Sequence, residues 1–474
     1  MSSRTLLIFL PMMLLAGLSS AETPRHPGEL TFEPITFEMA EPERDTLASG
    51  IPVFLYQDES LPLLSISIRF RMGLRYLPEE SFAAARLLGS VWRDGGTESM
   101  APDSLDERLA GKNIRISAWS EGTSGGVSVR MVSEDLHEGL ELWREVLLHP
   151  GFEEGRLERA KGKRVKSLQK INNSPDRIAD QHFSRLIDGA SYPGNYLENK
   201  AEIESVKADE LRELHRRFVR PENALIGVSG DFRKDEILAL LDEVLSGWEV
   251  DAEFSLPVKR DWTPRPEPGV YVLPGEYAQS QVRVGRKVMD LNLQSPDCAA
   301  ARIQNYAVGF GRIFFRTRQE GLSYGCGLIL DVGDEHSTLG SVGSCRPEVT
   351  VQLIEAVLRE AEGSESNPLS DDEVASARNF LIGDVVQRNE RARDIVSQSL
   401  DDLINDRPED HLERYFEALK RADREGAQRC GRDYNHLADS LVILVLGDPS
   451  KFETPLDDLG LGPVREPEPI RFGE

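Results

Sequence analysis

The chain mixes two periodicities of apolar residues. Residues 65–71 alternate polar with apolar side chains, and Val282 and Val284 alternate with polar neighbours in the same way, which is the period of a half-buried strand. Leucines and a tryptophan in residues 136–147 fall on one face of a helix. Strands that come in pairs, separated by long helices, predict an α+β fold of sandwiches with antiparallel sheets packed against helices. They do not indicate a doubly wound nucleotide-binding fold.

The same elements recur at a fixed distance along the chain. Residues 225–231 form an apolar stretch that ends in Gly-Asp, and residues 442–448 repeat it 217 positions later. Residues 157–161 look helical and correspond to residues 374–378 at the same offset. A capping box of Ser370 and Glu373 predicts where the second of these helices starts. These pairs predict a duplicated unit.

Proline-rich residues 251–270 separate the two copies and read as a linker. The predicted domains are therefore an N-terminal half over 22–250 and a C-terminal half over 271–474. Before them, residues 1–21 have an early arginine, an apolar run and small residues at their end, which predicts a cleaved secretory signal. An uncleaved anchor is the alternative. Because no later stretch is long and apolar enough to span a bilayer, the mature chain is expected to be periplasmic or secreted.

Composition removes several classes of function. The 474 residues include 56 Lys and Arg against 81 Asp and Glu, so the net charge is −25. A chain this acidic repels nucleic acid. The four cysteines have no Cys-x-x-Cys spacing, and no two of the eight histidines lie three or four residues apart as a helical zinc pair requires. The sequence also lacks a phosphate loop, a nucleophile elbow and a calcium loop.

Several short motifs nevertheless occur in one recognisable order. They are Gly50-Ile51-Pro52-Val53, then Asp58 and Pro62, the helix around residues 86–90, Gly96-Thr97, Arg220-Pro221-Glu222-Asn223 and Gly230-Asp231. In this order, and with its duplication, the chain resembles the pitrilysin/insulinase family of zinc peptidases, the inverzincins. The resemblance implies two homologous halves with that family's fold.

The resemblance also implies that the zinc site is lost. Four positions correspond to the two zinc-binding histidines, the glutamate that activates water and the third ligand of active members. They are occupied here by Arg86, Ser90, Gly89 and Ser167, respectively. Arginine has no lone pair to donate to zinc and glycine has no side chain. We therefore expect no cofactor in this chain, with zinc present only in a catalytic partner.

The second family motif is partly kept. Family members hold substrate through an Arg and a Tyr near a Gly-Leu-x-Tyr sequence, and the matching residues here are Gly321, Leu322 and Tyr324. The family arginine position falls on Thr317, between Arg316 and Arg318. One flanking arginine could take its place, or the contact could be lost. A phenol and a guanidinium can both hold a peptide carbonyl. The alternative is that Tyr324 only packs at the start of a strand.

Cys326 and Cys345 flank a predicted hairpin whose turn lies near residues 333–335. Facing strands could bring them within bonding reach, which an oxidising compartment favours. Cys298 and Cys430 remain, and the sequence leaves all three connectivities of four cysteines open.

The resemblance implies a specific kind of protein. It is a non-catalytic subunit that pairs with a zinc-bearing sibling as a heterodimer, or with itself as a homodimer, and that helps to bind extended peptide during proteolysis. Two alternatives remain. One is a scaffold protein of the same fold without a role in peptide processing, and the other is a divergent active metallopeptidase.

Overall fold

The strands of the chain form two six-stranded sheets, one in each half. The computed structural model describes residues 37–362, 366–434 and 440–474. The strands are β1 (Glu43–Thr46), β2 (Pro52–Gln57), β3 (Leu63–Arg71), β4 (Arg115–Glu121), β5 (Ser124–Val132), β6 (Ala224–Gly230), β7 (Gly269–Pro274), β8 (Ser280–Val288), β9 (Ser323–Val332), β10 (Ser337–Cys345), β11 (Val442–Gly447) and β12 (Val464–Arg465). Their order is β1-β2-β6-β3-β5-β4 in the first sheet and β12-β7-β11-β8-β10-β9 in the second.

The predicted α+β fold of two sandwich halves is confirmed, with one difference in strand direction. Most neighbouring strands are antiparallel, but β2 pairs with β6 in parallel, and β7 pairs in parallel with both β11 and β12. A parallel pair needs a long crossover connection. The helices of each half supply it, because they lie in sequence between the two strands of the pair.

The helices pack against the two sheets. They are α1 (Phe82–Asp94), α2 (Pro102–Gly111), α3 (Leu136–Leu148), α4 (Glu154–Ile171), α5 (Pro175–Asp188), α6 (Lys200–Ser205), α7 (Ala208–Phe218), α8 (Lys234–Val244), α9 (Cys298–Tyr306), α10 (Phe314–Gln319), α11 (Thr350–Glu362), α12 (Asp371–Arg388), α13 (Ala392–Ile404), α14 (His411–Arg421) and α15 (Arg424–Tyr434). A π-helical segment, Ala307–Ile313, joins α9 to α10.

The offset seen in the sequence reappears in the structure. Strands β2 and β7 begin at Pro52 and Gly269, and helices α4 and α12 begin at Glu154 and Asp371, so both pairs are 217 residues apart. The predicted capping box is present, because the Ser370 hydroxyl accepts from the backbone of Glu373 at 3.2 Å and the Glu373 carboxylate accepts from that of Ser370 at 2.8 Å. The two halves are therefore copies of one unit.

One helix of each half packs against the sheet of the other half. Helix α5 of the first half packs on β8 and β11 of the second sheet, and α13 of the second half packs on β2, β6 and β3 of the first. Five fully buried or nearly buried residues form the first contact: Leu186, Ile187, Tyr271, Val442 and Leu444. An ionic contact reinforces it, since the buried Arg283 of β8 donates to Asp180 of α5 at 2.7 Å. The halves belong to one compact unit, residues 39–474.

The end of the chain returns to the first half. Phe472 is 1% exposed and belongs to the core of that half. The Asn172 side chain donates to the carbonyl of Phe472 at 3.1 Å, and the backbone nitrogen of Lys200 donates to the carbonyl of Glu474 at 3.1 Å. Residues 245–268, which are all described, contain no helix or strand. The predicted signal over residues 1–21 lies outside the described residues.

Candidate functional site

The positions of the lost zinc motif lie together on the first two long helices of the first core. Arg86, Gly89 and Ser90 occupy about one turn of α1, and Ser167 lies on α4, which packs against α1. Ser90 and Ser167 are exposed, whereas Arg86 is half-buried. The fold thus brings the four positions to one pair of helices.

Arg86 has a structural role at this place. Its guanidinium donates to the carbonyls of Tyr196 at 2.9 Å and Pro193 at 3.2 Å, and it lies 3.5 Å from a carboxylate oxygen of Glu198. Glu198 is fully buried and accepts two hydrogen bonds from Arg164, at 2.8 and 3.0 Å. Burial lowers the pKa of Arg86, and the charge of Glu198 opposes that shift. Two arginines therefore neutralise one buried carboxylate here.

Gly89 leaves no space for a catalytic side chain. A Cβ at this position would lie 2.7 Å from the backbone nitrogen of Ser120 and 3.1 Å from Cα of Trp119, both in β4. Any side chain here would require the backbone of β4 to move. A similar close approach occurs in the second half at Gly309, where a Cβ would overlap the carbonyl oxygen of Leu328 in β9. In each sheet a helical glycine thus lies directly against the outermost strand.

The residues at this place do not fit zinc. Arg86 is bound to carbonyls and a carboxylate, Gly89 offers no ligand, and hydroxyl groups alone remain at Ser90 and Ser167. Across the part of the chain that the structure describes, no group of three His, Cys, Asp or Glu side chains could hold a metal ion.

The Gly-Leu-x-Tyr motif lies where α10 ends and β9 begins. Gly321 has φ of +67°, a left-handed conformation that glycine adopts without strain, and the backbone nitrogen of Leu322 bonds to the carbonyl of Thr317 at 2.9 Å. This cap turns the chain so that Tyr324 points outward from the edge strand, with 81% of it exposed. A residue that only packs at the start of a strand would be covered.

The two arginines that flank the family position differ in their contacts. Arg318 lies over the Tyr324 ring, with its guanidinium carbon 4.5 Å from the ring centre. Arg316 instead pairs with Glu360 and lies 3.5 Å from Glu320. Thr317 is buried and donates its hydroxyl to the carbonyl of Ile313 at 2.8 Å. Of the two arginines, Arg318 therefore joins Tyr324 and Arg316 does not.

A row of aromatic rings continues from this pair, and the sequence reasoning missed it. Neighbouring rings stack along the helix, with centres 5.4 Å apart for Tyr306 and Phe310 and 5.2 Å for Phe310 and Phe314. Arg318 follows, 5.7 Å from the Phe314 ring. The aromatic ladder consists of Tyr306, Phe310, Phe314, Phe315 and Phe380. The spacing of four residues between positions 306, 310, 314 and 318 was the signal that could have found it.

The structure does not contain the disulfide considered from the sequence. Cys326 lies opposite Gly343 in the β9–β10 pair, and Cys345 lies opposite Ser323, so the two cysteines are out of register. All four cysteines lie in described parts of the chain and are buried free thiols. Cys326 contacts the Ser341 hydroxyl at 3.3 Å, and burial raises the pKa of the Cys345 thiol to about 11.

Comparison with known proteins agrees with this geometry. Residues 205–381, which include the Gly-Leu-x-Tyr motif, match the family model described as the peptidase M16 inactive domain. These 177 of the 474 residues are similar to the inactive domain of M16 peptidases. The resemblance to the pitrilysin/insulinase family drawn from the sequence is thereby confirmed. No curated protein matches the sequence.

Solved structures show how widely the M16 fold is shared. A peptidase M16 inactive domain from Pseudomonas fluorescens is 18% identical, with a TM-score of 0.76, over 88% of this chain and 100% of that one. The periplasmic protease PqqL from Escherichia coli is 15% identical, with a TM-score of 0.73, over 91% of this chain and 49% of PqqL. A protease from Helicobacter pylori is 14% identical, with a TM-score of 0.73, over 86% and 100%. At these identities the likeness is one of fold.

Among the residues that the structure describes, no helix has the length and apolar character needed to cross a membrane.

Proposed function

We propose that this chain is an exported, non-catalytic subunit that pairs with a zinc-bearing sibling and helps to hold extended peptide substrate. The observation that carries the proposal is Tyr324, which is 81% exposed at the start of an edge strand and held there by Arg318. An exposed aromatic ring with a guanidinium over it offers a ligand an apolar face together with hydrogen-bonding groups. The residues at the zinc positions support a division in which a partner carries out the chemistry.

The edge strand supports an extended ligand at one end. Peptides often bind by adding a strand to an exposed sheet edge. Farther along β9 the edge is covered, because Gly309 packs against Leu328 and the side chain of Asn305 accepts from the backbone of Leu330 at 3.1 Å. A Cβ on Gly325 would meet nothing within 4 Å. The open part therefore lies next to Tyr324, whose hydroxyl can bond to a peptide carbonyl.

Export is part of the proposal. The secretory pattern of residues 1–21 and the acidic composition support a location in the periplasm or outside the cell. The fold is also that of a periplasmic protease, PqqL. A homodimer with the same peptide-binding role is the variant of this proposal that needs no sibling.

Affinity purification of the tagged chain from its own cell envelope, followed by mass spectrometry, tests the pairing. We expect a stoichiometric partner that carries His-x-x-Glu-His. Recovery of the chain alone, or with unrelated membrane proteins, would instead favour a scaffold. Metal-dependent peptide hydrolysis by the isolated chain would overturn the non-catalytic assignment.

The substrate role has its own test in the reconstituted pair. Tyr324→Phe removes one hydroxyl and should lower turnover about tenfold, the effect of one hydrogen bond to substrate, without changing assembly. Tyr277→Phe, at a partly buried tyrosine near the start of the second half, is the matched control and should leave turnover unchanged. Equal turnover in the two variants would argue against a substrate role for Tyr324.

A further inference from the structure

A cleft lies between the first sheet and α13, the helix of the second half that packs against this sheet. Its main cavity has a volume of about 520 Å³, and a smaller cavity of about 270 Å³ adjoins it. The two share Ser65, Arg130, Ser229 and Arg393 among their lining residues. The cleft exists because α13 packs on β2, β6 and β3 but leaves the outer strands β5 and β4 uncovered on this face.

The part of the first sheet that α13 leaves uncovered is polar on this face, because polar and apolar side chains alternate along its strands. Leu64 and Ile66 of β3 point into the core, so Ser65 and Ser67 point into the cleft. The strand register then places four side chains in one row across the sheet: Arg115 is opposite Arg130, Arg130 is opposite Ser65, and Ser65 is opposite Ser229. The next row has Ser117, Ser128 and Ser67.

This row carries positive charge without a partner. Two like charges directly opposite each other destabilise an antiparallel pair. Arg391 and Arg393 add to them at the start of α13, where the first backbone N–H groups of the helix also favour an anion. Within the described residues, Arg115, Arg130 and Arg391 have no carboxylate within ion-pair distance, and Arg393 pairs with its neighbour Asp394 at 3.2 Å. We call this place the arginine cleft.

Arginines that are less exposed are neutralised elsewhere in the protein. Arg69 and Arg71, on the same face of β3, pair with Asp401 and Asp406, and the buried Arg283 of the second sheet pairs with Asp180. Two acidic residues, Asp58 and Glu390, also line the main cavity, and Asp58 accepts from the backbone of Ser60 at 3.0 Å. In a chain with 81 acidic and 56 basic residues, carboxylates are abundant. The exposed arginines around the cavity, which the described carboxylates leave unpaired, are therefore free to contact an anion from outside.

One end of the arginine cleft, next to the row of Ser65 and Arg130, is apolar and open. Leu61 is 60% exposed and Leu63 is 50% exposed, and both line the main cavity. The smaller cavity is lined largely by serines and arginines, so a ligand that extends into it must carry polar groups along its length. The ligand must therefore have an anionic group for the arginines, an apolar part for the leucines and polar groups along its length. A peptide has these in its terminal carboxylate, its side chains and its amides, whereas a lipid tail has no polar groups along its length.

We propose that the arginine cleft binds the free carboxylate end of a peptide whose last residues are apolar. Arg115 and Arg130 receive the carboxylate through charge-assisted hydrogen bonds, and Leu61 and Leu63 contact the apolar side chains. The proposal rests on the peptide-binding function above and adds a second point of attachment to it, on the other half of the molecule from Tyr324.

Fluorescence anisotropy of the purified chain with a labelled Ala-Ala-Ala-Leu-Leu peptide tests the proposal. We expect the free-acid peptide to bind at least about tenfold more tightly than its C-terminal amide, and binding to weaken with salt. Arg115→Gln and Arg130→Gln should each weaken binding of the acid about tenfold. Arg216→Gln, an exposed arginine on α7, is the control and should not change it.

Three results would overturn the proposal: equal affinity for acid and amide, unchanged affinity in the Arg115→Gln/Arg130→Gln double variant, or tighter binding of decanoate than of the peptide acid. Denaturation of the same variants separates binding from folding. Because each substitution relieves a like-charge pair, the midpoint should stay or rise, and a fall would make the arginines structural. If Tyr324→Phe abolishes peptide binding while the arginine variants do not, the arginine cleft fails and the proposed function stands.

Discussion

Gly89 of α1 lies so close to Ser120 of β4 that a Cβ on the glycine would be 2.7 Å from the serine backbone nitrogen. The position at which active relatives carry their water-activating glutamate is therefore closed by the fold as well as changed in sequence. Restoring the zinc ligands and the glutamate by substitution would not rebuild the site, because the strand occupies the space that the glutamate needs.

Gly89→Ala should lower the free energy of unfolding by about 1–3 kcal/mol, since an added methyl group forces the backbone of β4 to shift. Gly162→Ala on α4 is the matched control: its Cβ would meet nothing within 4 Å, and alanine should raise stability by about 0.5–1 kcal/mol. Urea denaturation of both variants measures the difference. If Gly89→Ala were as stabilising as the control, the close approach of α1 and β4 would be wrong.

Glu198→Gln should lower the free energy of unfolding by about 3–5 kcal/mol, because it leaves Arg86 and Arg164 without their shared buried charge. Glu204→Gln removes an exposed carboxylate 3.6 Å from Lys200 and should change stability by less than about 1 kcal/mol. Chemical denaturation distinguishes the two. A small effect at Glu198 would mean that the arginines are solvated and that the buried cluster does not organise this helix pair.

Acid should destabilise the protein through two buried histidines. Burial lowers the pKa of His182 and of His215 to about 4, below the value of about 6.5 in an unfolded chain. Between these values the unfolded chain binds protons that the folded one does not. The free energy of unfolding therefore falls as pH falls from about 6.5 to about 4, by up to about 1.4 kcal/mol per pH unit for each histidine.

Urea denaturation at pH 7.5, 6 and 5 measures this slope. His215→Gln retains a donor for the carbonyl of Leu147, which the histidine contacts at 2.8 Å, and should make the slope shallower. His137→Gln, at an exposed position on α3, should leave it unchanged. The same slope in all three proteins would assign the acid sensitivity to other groups.

Phe472→Ala should lower the free energy of unfolding by about 3–5 kcal/mol, because it empties a fully buried site in the core of the first half. Leu461→Ala, at a side chain that is 40% exposed, should cost much less. Thermal unfolding compares the two. Equal losses would show that the end of the chain does not hold the first half together.

The sequence was sufficient for the duplicated architecture and for the loss of the zinc positions. Offsets and motif order depend on residues that are adjacent in the chain, and an arginine or a glycine cannot bind zinc in any fold. It was not sufficient to predict the structural role that Arg86 has at one of these positions, where it contacts the buried Glu198. Glu198 gave no signal, because its partners Arg86 and Arg164 are far from it in the chain and meet it only after α1 and α4 have packed.

The sequence also did not predict features that depend on where exactly a helix ends or how two strands are aligned. Whether Arg316 or Arg318 joins Tyr324 depends on how a helix ends, and whether Cys326 meets Cys345 depends on strand register, which shifts near Cys345. Either feature changes with a single residue of displacement, and no periodicity in the sequence reports it.

The exchange of α5 and α13 has a consequence for the origin of the chain. One half alone would expose apolar residues of its sheet, and its own α5 or α13 would have no sheet to pack against. Two copies that exchanged these helices would bury both surfaces, as in a domain-swapped dimer. The present polypeptide has the geometry of such a dimer with its two subunits tethered. Because the two halves are in one chain, the packing of α5 and α13 on the opposite sheets does not depend on protein concentration. The tether also allows the two sheets to differ, since the first lines the arginine cleft and the second lies next to the aromatic ladder.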